Sequence, residues 1–206
     1  MQREIVLVRH GEAYNSMEPD GRREVRDRSN PPLTPLGEEQ AAAVARVVTE
    51  FAPDIVVTSP FLRVAQTAFA YLQPAGAMAV ADARMAEYFA FEPLAHFRGV
   101  DLADYRTRFG ASIDIADDLA TLAPFPRYPE GEESLTQRAS ACASEWLSRK
   151  GWTRAAFYGH WATVVAFAQA LDPSLSFEPG HCSLTHLVEE SPGSWRAVVV
   201  NDERLA

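Results

Sequence analysis

Three short stretches of the 206-residue chain carry residue types that do chemistry rather than packing. Arg9-His10-Gly11-Glu12 follows the apolar run Ile5-Val6-Leu7-Val8, and Gly159-His160 follows a second run from Arg154 to Tyr158. Ser59-Pro60, with Arg63 just beyond, follows a third run from Asp54 to Thr58. A strand buried on both faces has no structural need to finish in Arg-His. Two guanidiniums offer permanently charged planar forks that match phosphate oxygens. Helix N-termini beside them add backbone N–H groups and a positive dipole end. An imidazole among such cations is pushed toward its neutral form, because nearby positive charge disfavours the imidazolium. Neutral imidazole is a nucleophile. The set therefore fits covalent phosphoryl transfer through a phosphohistidine.

For these stretches to meet, the runs must be strands whose carboxyl ends share one edge of a sheet, where open α/β sheets place their ligands. Apolar runs this short have the length of strands buried on both faces. Thr34-Pro35 supplies an N-cap and a first-turn proline for a helix whose face is Val44, Val47, Val48 and Phe51. Ser59-Pro60 repeats that start ahead of Leu62, Ala65, Phe69 and Leu72. Ser134 and Gln137 match a capping box in front of Leu135, Ala139, Cys142 and Trp146. Val164, Ala168 and Leu171 mark another helix, and two late strands near residues 183–188 and 195–200 flank the turn Ser191-Pro192-Gly193-Ser194. That turn predicts a hairpin and one antiparallel strand. Residues 74–131 read as a cap-like insertion of short helices and loops. Its aromatic residues Phe89, Phe91, Phe97, Tyr105, Phe109, Phe125 and Tyr128 are expected to build the insertion's own core. The expected fold is one α/β domain over residues 1–206, a mostly parallel central sheet with helices on both faces.

Acidic side chains outnumber basic ones 28 to 19, a formal charge of −9. This argues against a general nucleic-acid or anionic-membrane surface. An anionic substrate must then be held by a local cationic cluster working against the global field. No stretch approaches the ~18 apolar residues of a membrane span, and nothing reads as a signal peptide, so a cytoplasmic protein is expected. Cys142 and Cys182 make neither a disulfide framework nor a metal site, and buried free thiols are expected.

The motifs resemble those of the histidine phosphatase superfamily, also called phosphoglycerate-mutase-like. Arg9-His10-Gly11-Glu12 is similar to its RHG signature. The likeness continues through Asn15, Leu33-Thr34-Pro35-Leu36-Gly37-Glu38-Glu39-Gln40-Ala41 and Ser59-Pro60-Phe61-Leu62-Arg63-Val64-Ala65-Gln66-Thr67-Ala68. It returns at Gly131-Glu132-Glu133-Ser134, Gly159-His160 and Asn201-Asp202, in the family's order along almost the whole chain. The resemblance implies a phosphoglycerate-mutase-like three-layer sandwich. It also implies a metal-independent phosphomonoester hydrolase of the histidine acid phosphatase type, acting on a small phosphorylated substrate. His10 would be phosphorylated, Arg9, Arg63 and His160 would surround the phosphate, and Asn15 would add a donor. Glu87 would be the general acid and base. No cofactor is implied. No metal is expected either, because cationic side chains neutralise the phosphoryl oxygens and His10 and His160 show no third ligand in the sequence. A homodimer is compatible with the sequence.

The chain also departs from the family. Relatives carry a Gly-x-Trp-Glu-Gly run where this chain has Ala90-Phe91-Glu92-Pro93, so Glu92 stands as the alternative carboxylate to Glu87. Trp161 replaces the usual small residue after the second histidine. The nearest rival activity is a cofactor-dependent phosphoglycerate mutase. Such relatives show Trp-Asn and a Gly-Trp loop where Tyr14-Asn15 here leads into Met17-Glu18-Pro19-Asp20. A non-catalytic phospho-ligand binder on the same fold is the third reading. Arg22, Arg23, Arg26 and Arg28 are interleaved with Glu24 and Asp27 and read as a solvated loop, or as reach for a second anionic group. His96, His181 and His186 read as packing or surface residues. The substrate itself is not legible.

Overall fold

The computed structural model describes residues 2–15, 27–120 and 124–202; Met17 to Asp20 and Arg22, Arg23 and Arg26 lie outside the described residues. The apolar runs become strands β1 (Glu4–Arg9), β2 (Ile55–Thr58) and β5 (Arg154–Gly159), and the late pair becomes β6 (Leu184–Ser191) and β7 (Ser194–Asp202). Two further short strands, β3 (Ala79–Ala81) and β4 (Ile113–Asp114), come from the middle segment. The seven form one sheet in the order β4-β3-β2-β5-β1-β6-β7. Strands β1 to β5 pair in parallel, whereas β6 runs antiparallel to both β1 and β7. The segment read as short helices and loops thus also extends the sheet by two strands.

Alternation along β1 separates the two faces. Val6 and Val8 join the core beneath helices α1 (Pro35–Phe51) and α2 (Leu62–Ala75), with Val44, Val48, Ala65 and Leu72. Ile5 and Leu7 point the other way, toward helices α4 (Glu132–Ser148) and α5 (Trp161–Leu171), with Cys142, Trp146, Val164 and Ala168. Side chains two apart share a face, so a four-residue apolar run serves both layers. The remaining helix, α3 (Leu102–Phe109), buries Tyr105 and Phe109. The result is the expected three-layer α/β sandwich. Cys142 and Cys182 are buried free thiols. No helix of the described residues is long and apolar enough to cross a membrane.

Three local expectations are corrected. Helix α2 starts at Leu62 with Phe61 as N-cap and no side-chain cap bond; the Ser59 hydroxyl accepts from the Phe61 N–H at 3.3 Å and lies 3.0 Å from a His160 ring nitrogen. Helix α4 starts two residues before Ser134, capped by Gly131, so the capping box does not form; Ser134 donates instead to Glu130 at 3.2 Å. The aromatic residues of the insertion do not make a separate core. Phe61 stacks on Phe97 at 4.8 Å and meets Phe89 and Phe125 edge-on, so Phe89, Phe97, Tyr105, Phe109 and Phe125 continue the core of the α1–α2 face. Phe91 and Tyr128 are exposed.

Helix α1 does more than cover the sheet, because its start braces the loop after β1. Thr34 caps it by accepting from the Gly37 N–H at 3.0 Å and also donates to a Glu12 carboxylate oxygen at 2.8 Å. Gln40 accepts from the Glu12 N–H at 2.8 Å. The two backbones touch: a Cβ at Gly37 would lie 1.9 Å from the Glu12 carbonyl oxygen, and one at Gly11 2.5 Å from the Gly37 carbonyl oxygen. Neither neighbour is a flexible side chain that could give way. Gly37→Ala is therefore expected to destabilise the protein by at least the ~1–3 kcal/mol of core overpacking, read from the urea midpoint. Thr34→Ala, which removes both the cap and the bond to Glu12, should cost more than the ~1 kcal/mol of a cap alone.

Candidate active site

The three central parallel strands deliver their following residues side by side. Their ladder continues one residue past the strand ends, with His10 N–H donating to the Gly159 carbonyl and Ser59 N–H to the Tyr158 carbonyl, both at 3.0 Å. His10, His160 and Ser59 consequently leave adjacent strands at one level. Glu87 arrives from the next strand over, β3, through the turn Ala83–Met85. Arg63 is the second residue of α2, and it is 2% exposed despite its charge.

Arg63 joins the other groups. Its Nε donates to His10 Nε2 at 3.2 Å, and its Nη2 lies 2.9 Å from a Glu87 oxygen and 3.1 Å from His160 Nδ1. The same Glu87 oxygen is 3.2 Å from His160 Nδ1. The remaining guanidinium nitrogen, Nη1, is buried and has no hydrogen-bond partner among the described residues. Beneath the guanidinium, 5.1 Å from its carbon, sits the Phe61 ring, which also meets His160 edge-on.

The partners of His10 identify its tautomer. Nδ1 lies 2.7 Å from the Gly11 carbonyl oxygen, which only accepts, so Nδ1 carries the proton and Nε2 the lone pair. Burial, followed by the charges around Arg63, His160 and Arg9, holds the His10 pKa well below the ordinary histidine value. Burial also lowers His160; Glu87 pulls it back and Arg63 pushes it down again, leaving about 4. For Glu87, burial favours the neutral acid, but the adjoining His160 and Arg63 outweigh it and hold the carboxyl well below the usual range. A neutral imidazole thus stands beside an ionised carboxylate, with one guanidinium between them.

His10, Glu87 and His160 each offer a ligand atom, all within 4.8 Å of one another. The third ligand that the sequence did not reveal is therefore present, and the argument against a metal from its lack does not stand. The Arg63 guanidinium is what competes with a cation here, since it is hydrogen-bonded to His10 and Glu87 and within bonding distance of His160. A divalent ion bound by the three would sit against a fixed positive charge.

Of the other residues singled out by sequence, Arg9 reaches the site from the end of β1. Its Nη1 donates to the Pro179 carbonyl at 2.7 Å, and its Nη2 lies 3.0 Å from His181 Nε2. Asn15 is exposed, two residues past the Ala13–Leu33 bridge. Glu92 is on the surface, paired with His96 at 3.0 Å, so the structure brings Glu87 and not Glu92 to the histidines. Trp161 is exposed at the start of α5, and Arg28 is exposed as well.

His181 is the residue that sequence reading missed. Its ring lies 5.8 Å from that of His10, and burial together with Arg9 lowers its pKa to about 4. The signal was available. An antiparallel neighbour of β1 begins where β1 ends, so the residues entering β6 had to lie beside His10.

A three-layer α/β protein with a buried cluster of two histidines, an arginine and a glutamate at the carboxyl edge of its parallel strands is thus defined. The chain belongs to the histidine phosphatase superfamily, branch 1, whose model matches residues 5–203. No curated protein matches the chain significantly. Among solved structures, a mycobacterial glucosyl-3-phosphoglycerate phosphatase in complex with VO3 shares 20% identity over 98% of this chain and 100% of its own, with a TM-score of 0.69. The ecdysone phosphate phosphatase from Bombix mori, in complex with tungstate, shares 17% over 97% of this chain and 93% of its own, with a TM-score of 0.69. A phosphoserine phosphatase mutant from Entamoeba histolytica, in complex with phosphoserine, shares 18% over 99% and 100%, with a TM-score of 0.65. These likenesses establish a common fold.

The depressed histidines make acid the enemy of this fold. In the unfolded chain each ring binds a proton near pH 6.5, whereas His160 and His181 stay neutral in the fold until about pH 4. Between those limits the unfolded state holds more protons, so stability falls as pH falls. Urea midpoints should drop steadily from pH 6.5 to 4, and replacing His181 by Gln should flatten that slope.

Proposed function

We propose that this protein is a metal-independent phosphomonoester hydrolase of the histidine acid phosphatase type that works through a phosphohistidine on His10. The observation that carries this reading is the buried, unpartnered Nη1 of Arg63, beside a His10 whose Nε2 holds the lone pair. A buried guanidinium donor without a partner is costly, and an anionic oxygen satisfies it with a charge-assisted bond. The tungstate and phosphoserine complexes of the structural relatives belong to the same chemical class of ligand.

In this mechanism the substrate phosphoryl group is held by Arg63, Arg9 and His160, with Asn15 as an outer donor. Ser59 donates its hydroxyl proton to His160 Nε2, which leaves Nδ1–H to serve a phosphoryl oxygen. The negative charge of the substrate offsets Arg63 and raises the Glu87 pKa, so that the carboxyl takes up a proton from solvent. The His10 Nε2 lone pair forms a bond to phosphorus as the bond to the leaving oxygen breaks, and Glu87 gives that oxygen its proton. Glu87 then accepts a proton from water, whose oxygen attacks phosphorus. The N–P bond breaks with its electrons returning to Nε2, and phosphate leaves.

Several outcomes follow from this scheme. His10→Ala should lose about 10³-fold or more of its turnover of p-nitrophenyl phosphate, and it should take up no acid-labile phosphate. Near-normal activity in that variant would rule out the phosphohistidine. Activity should survive exhaustive chelation with EDTA; loss restored by a divalent ion would instead make the His10, Glu87 and His160 cluster a metal site. Glu87→Gln should lose ~10²–10⁴-fold in His10 phosphorylation by an alkyl ester. It should lose much less with p-nitrophenyl phosphate, whose leaving group is a weak base. Rapid-quench measurement of the phosphoenzyme reads that step directly.

A further inference from the structure

Helix α4 packs its first turns against the segment that carries Glu87, and two charged residues there make contacts that the proposed reaction does not use. Arg138, one turn and a half into the helix, sends its guanidinium away from solvent and along the backbone of that segment. Its Nη1 donates to the Arg84 carbonyl at 2.7 Å and to the Ala86 carbonyl at 2.9 Å, and its Nη2 donates to the Glu87 carbonyl at 2.9 Å. Its Nε and Nη2 also meet the two oxygens of Glu130, at 2.7 and 3.0 Å. Glu130, whose side chain is 1% exposed, accepts in addition from the Phe89 N–H at 3.0 Å. The two residues thus hold four backbone groups of the Glu87 segment, at Arg84, Ala86, Glu87 and Phe89, on both sides of Glu87 itself, and neither touches His10, Arg63 or His160 in any hydrogen bond described.

A surface helix needs no such arrangement. The pair is nearly buried, and a buried ion pair is weak grounds for stability, because desolvation offsets most of the attraction. Its geometry is also unlike that of a helix cap, since every Arg138 donor goes to another element or to Glu130. A fork of fixed planar donors converging on three carbonyls defines position. The position matters because Glu87 lies on irregular backbone between a single 3₁₀ turn and a loop, where no ladder or helix fixes it. The same segment is tied on its other side, where the Thr163 hydroxyl lies 3.4 Å from the Met85 carbonyl while accepting from the His160 N–H at 3.0 Å. The Glu87 carboxylate is thereby held against the His160 ring by two helices at once.

We propose that Arg138 and Glu130 are positioning residues that fix the Glu87 carboxyl at the distance where it protonates the leaving oxygen; this rests on the reading of Glu87 as general acid. A displaced acid fails only where a proton is needed. Loss of the clamp should therefore carry the leaving-group signature of losing Glu87, at reduced size, and leave the phosphate pocket intact. Its effect should also vanish when Glu87 is already gone, since residues that act through one group are not additive.

The experiment measures His10 phosphorylation by rapid quench with glycerol 2-phosphate and with p-nitrophenyl phosphate, alongside inhibition by inorganic phosphate. The variants are Arg138→Lys, Arg138→Ala, Glu87→Gln and the double Arg138→Ala/Glu87→Gln. A further double, Glu130→Gln/Arg138→Met, removes both charges together, so that no orphaned charge unfolds the segment. The clamp predicts a ~10–100-fold loss on glycerol 2-phosphate for Arg138→Ala and for the charge-free pair, part of the range of general acid catalysis. It predicts partial recovery in Arg138→Lys, less than threefold loss on p-nitrophenyl phosphate, unchanged inhibition by phosphate, and no loss in the double variant beyond that of Glu87→Gln. Equal losses on the two esters, weakened phosphate inhibition, losses that add to those of Glu87→Gln, or no loss at all would each overturn it. If Glu87→Gln shows the leaving-group signature and the Arg138 variants do not, the clamp alone falls. If Glu87→Gln lacks the signature, the general-acid reading falls and the clamp with it.

Discussion

The buried guanidinium of Arg63 is the constraint around which the rest of the site is arranged. A charge removed from water must be compensated, and here the compensation comes from a lone pair on His10 and the ionised Glu87, with the His160 ring alongside. Each partner arrives from a different strand end, so the guanidinium is also the point at which β1, β3 and β5 are read together. Phe61 closes the cluster from below, packed against both Arg63 and His160. Because Arg63 lies only two residues beyond Phe61, the start of α2 places the cation and its apolar floor together. Ser59, two residues before the N-cap Phe61, accepts from the Phe61 N–H and brings the same hydroxyl to His160.

Around this centre the family motifs acquire physical reasons. The Leu-Thr-x-x-Gly pattern is a brace for the loop that follows His10, with Thr34 and Gln40 bonding Glu12, and Gly37 lying so close to it that a side chain would collide. The Gln-Thr of α2 does similar work. Gln66 accepts from the Leu33 N–H, and Thr67 accepts from the Gly11 N–H while donating to the Arg63 carbonyl. Motif residues outside the central cluster thus hold the loop after His10 against two helices. The opposite layer supplies a second frame, through Thr163 and the Arg138–Glu130 pair, for the segment that bears Glu87. His10 and Glu87 are consequently held from opposite faces of the sheet, with Arg63 between them.

The electrostatics follow from the same geometry. The chain as a whole carries a charge of −9, yet within the pocket the cations of Arg9 and Arg63 prevail and burial keeps the histidines neutral. A local field of one sign thus sits inside a protein whose net charge has the other sign.

What the sequence determined by itself are the features decided within a few residues. The buried strands, the Thr34 cap of α1, the faces of α4 and α5, and the grouping of His10, Arg63 and His160 were all legible, because apolar runs, capping residues and strand-end polarity are local signals. What the tertiary structure decided depends on pairings between distant segments. Glu87 rather than Glu92 reaches the histidines because Ala79–Ala81 joins the sheet as a strand, and three residues are too few to announce one. His181 lies beside His10 because β6 runs antiparallel to β1; the turn at Ser191–Ser194 announces an antiparallel strand, but only the assembled sheet sets it against β1. Ser59 reaches across to His160, 101 residues away along the chain, whereas Ser134 lies inside α4 because that helix already starts at Glu132. The insertion's aromatics merge with the main core because Phe61 stacks on Phe97 and meets Phe89 and Phe125 edge-on. Local propensity decides which elements form, whereas the competition for buried hydrogen-bond and packing partners, settled only when the sheet assembles, decides which side chains meet.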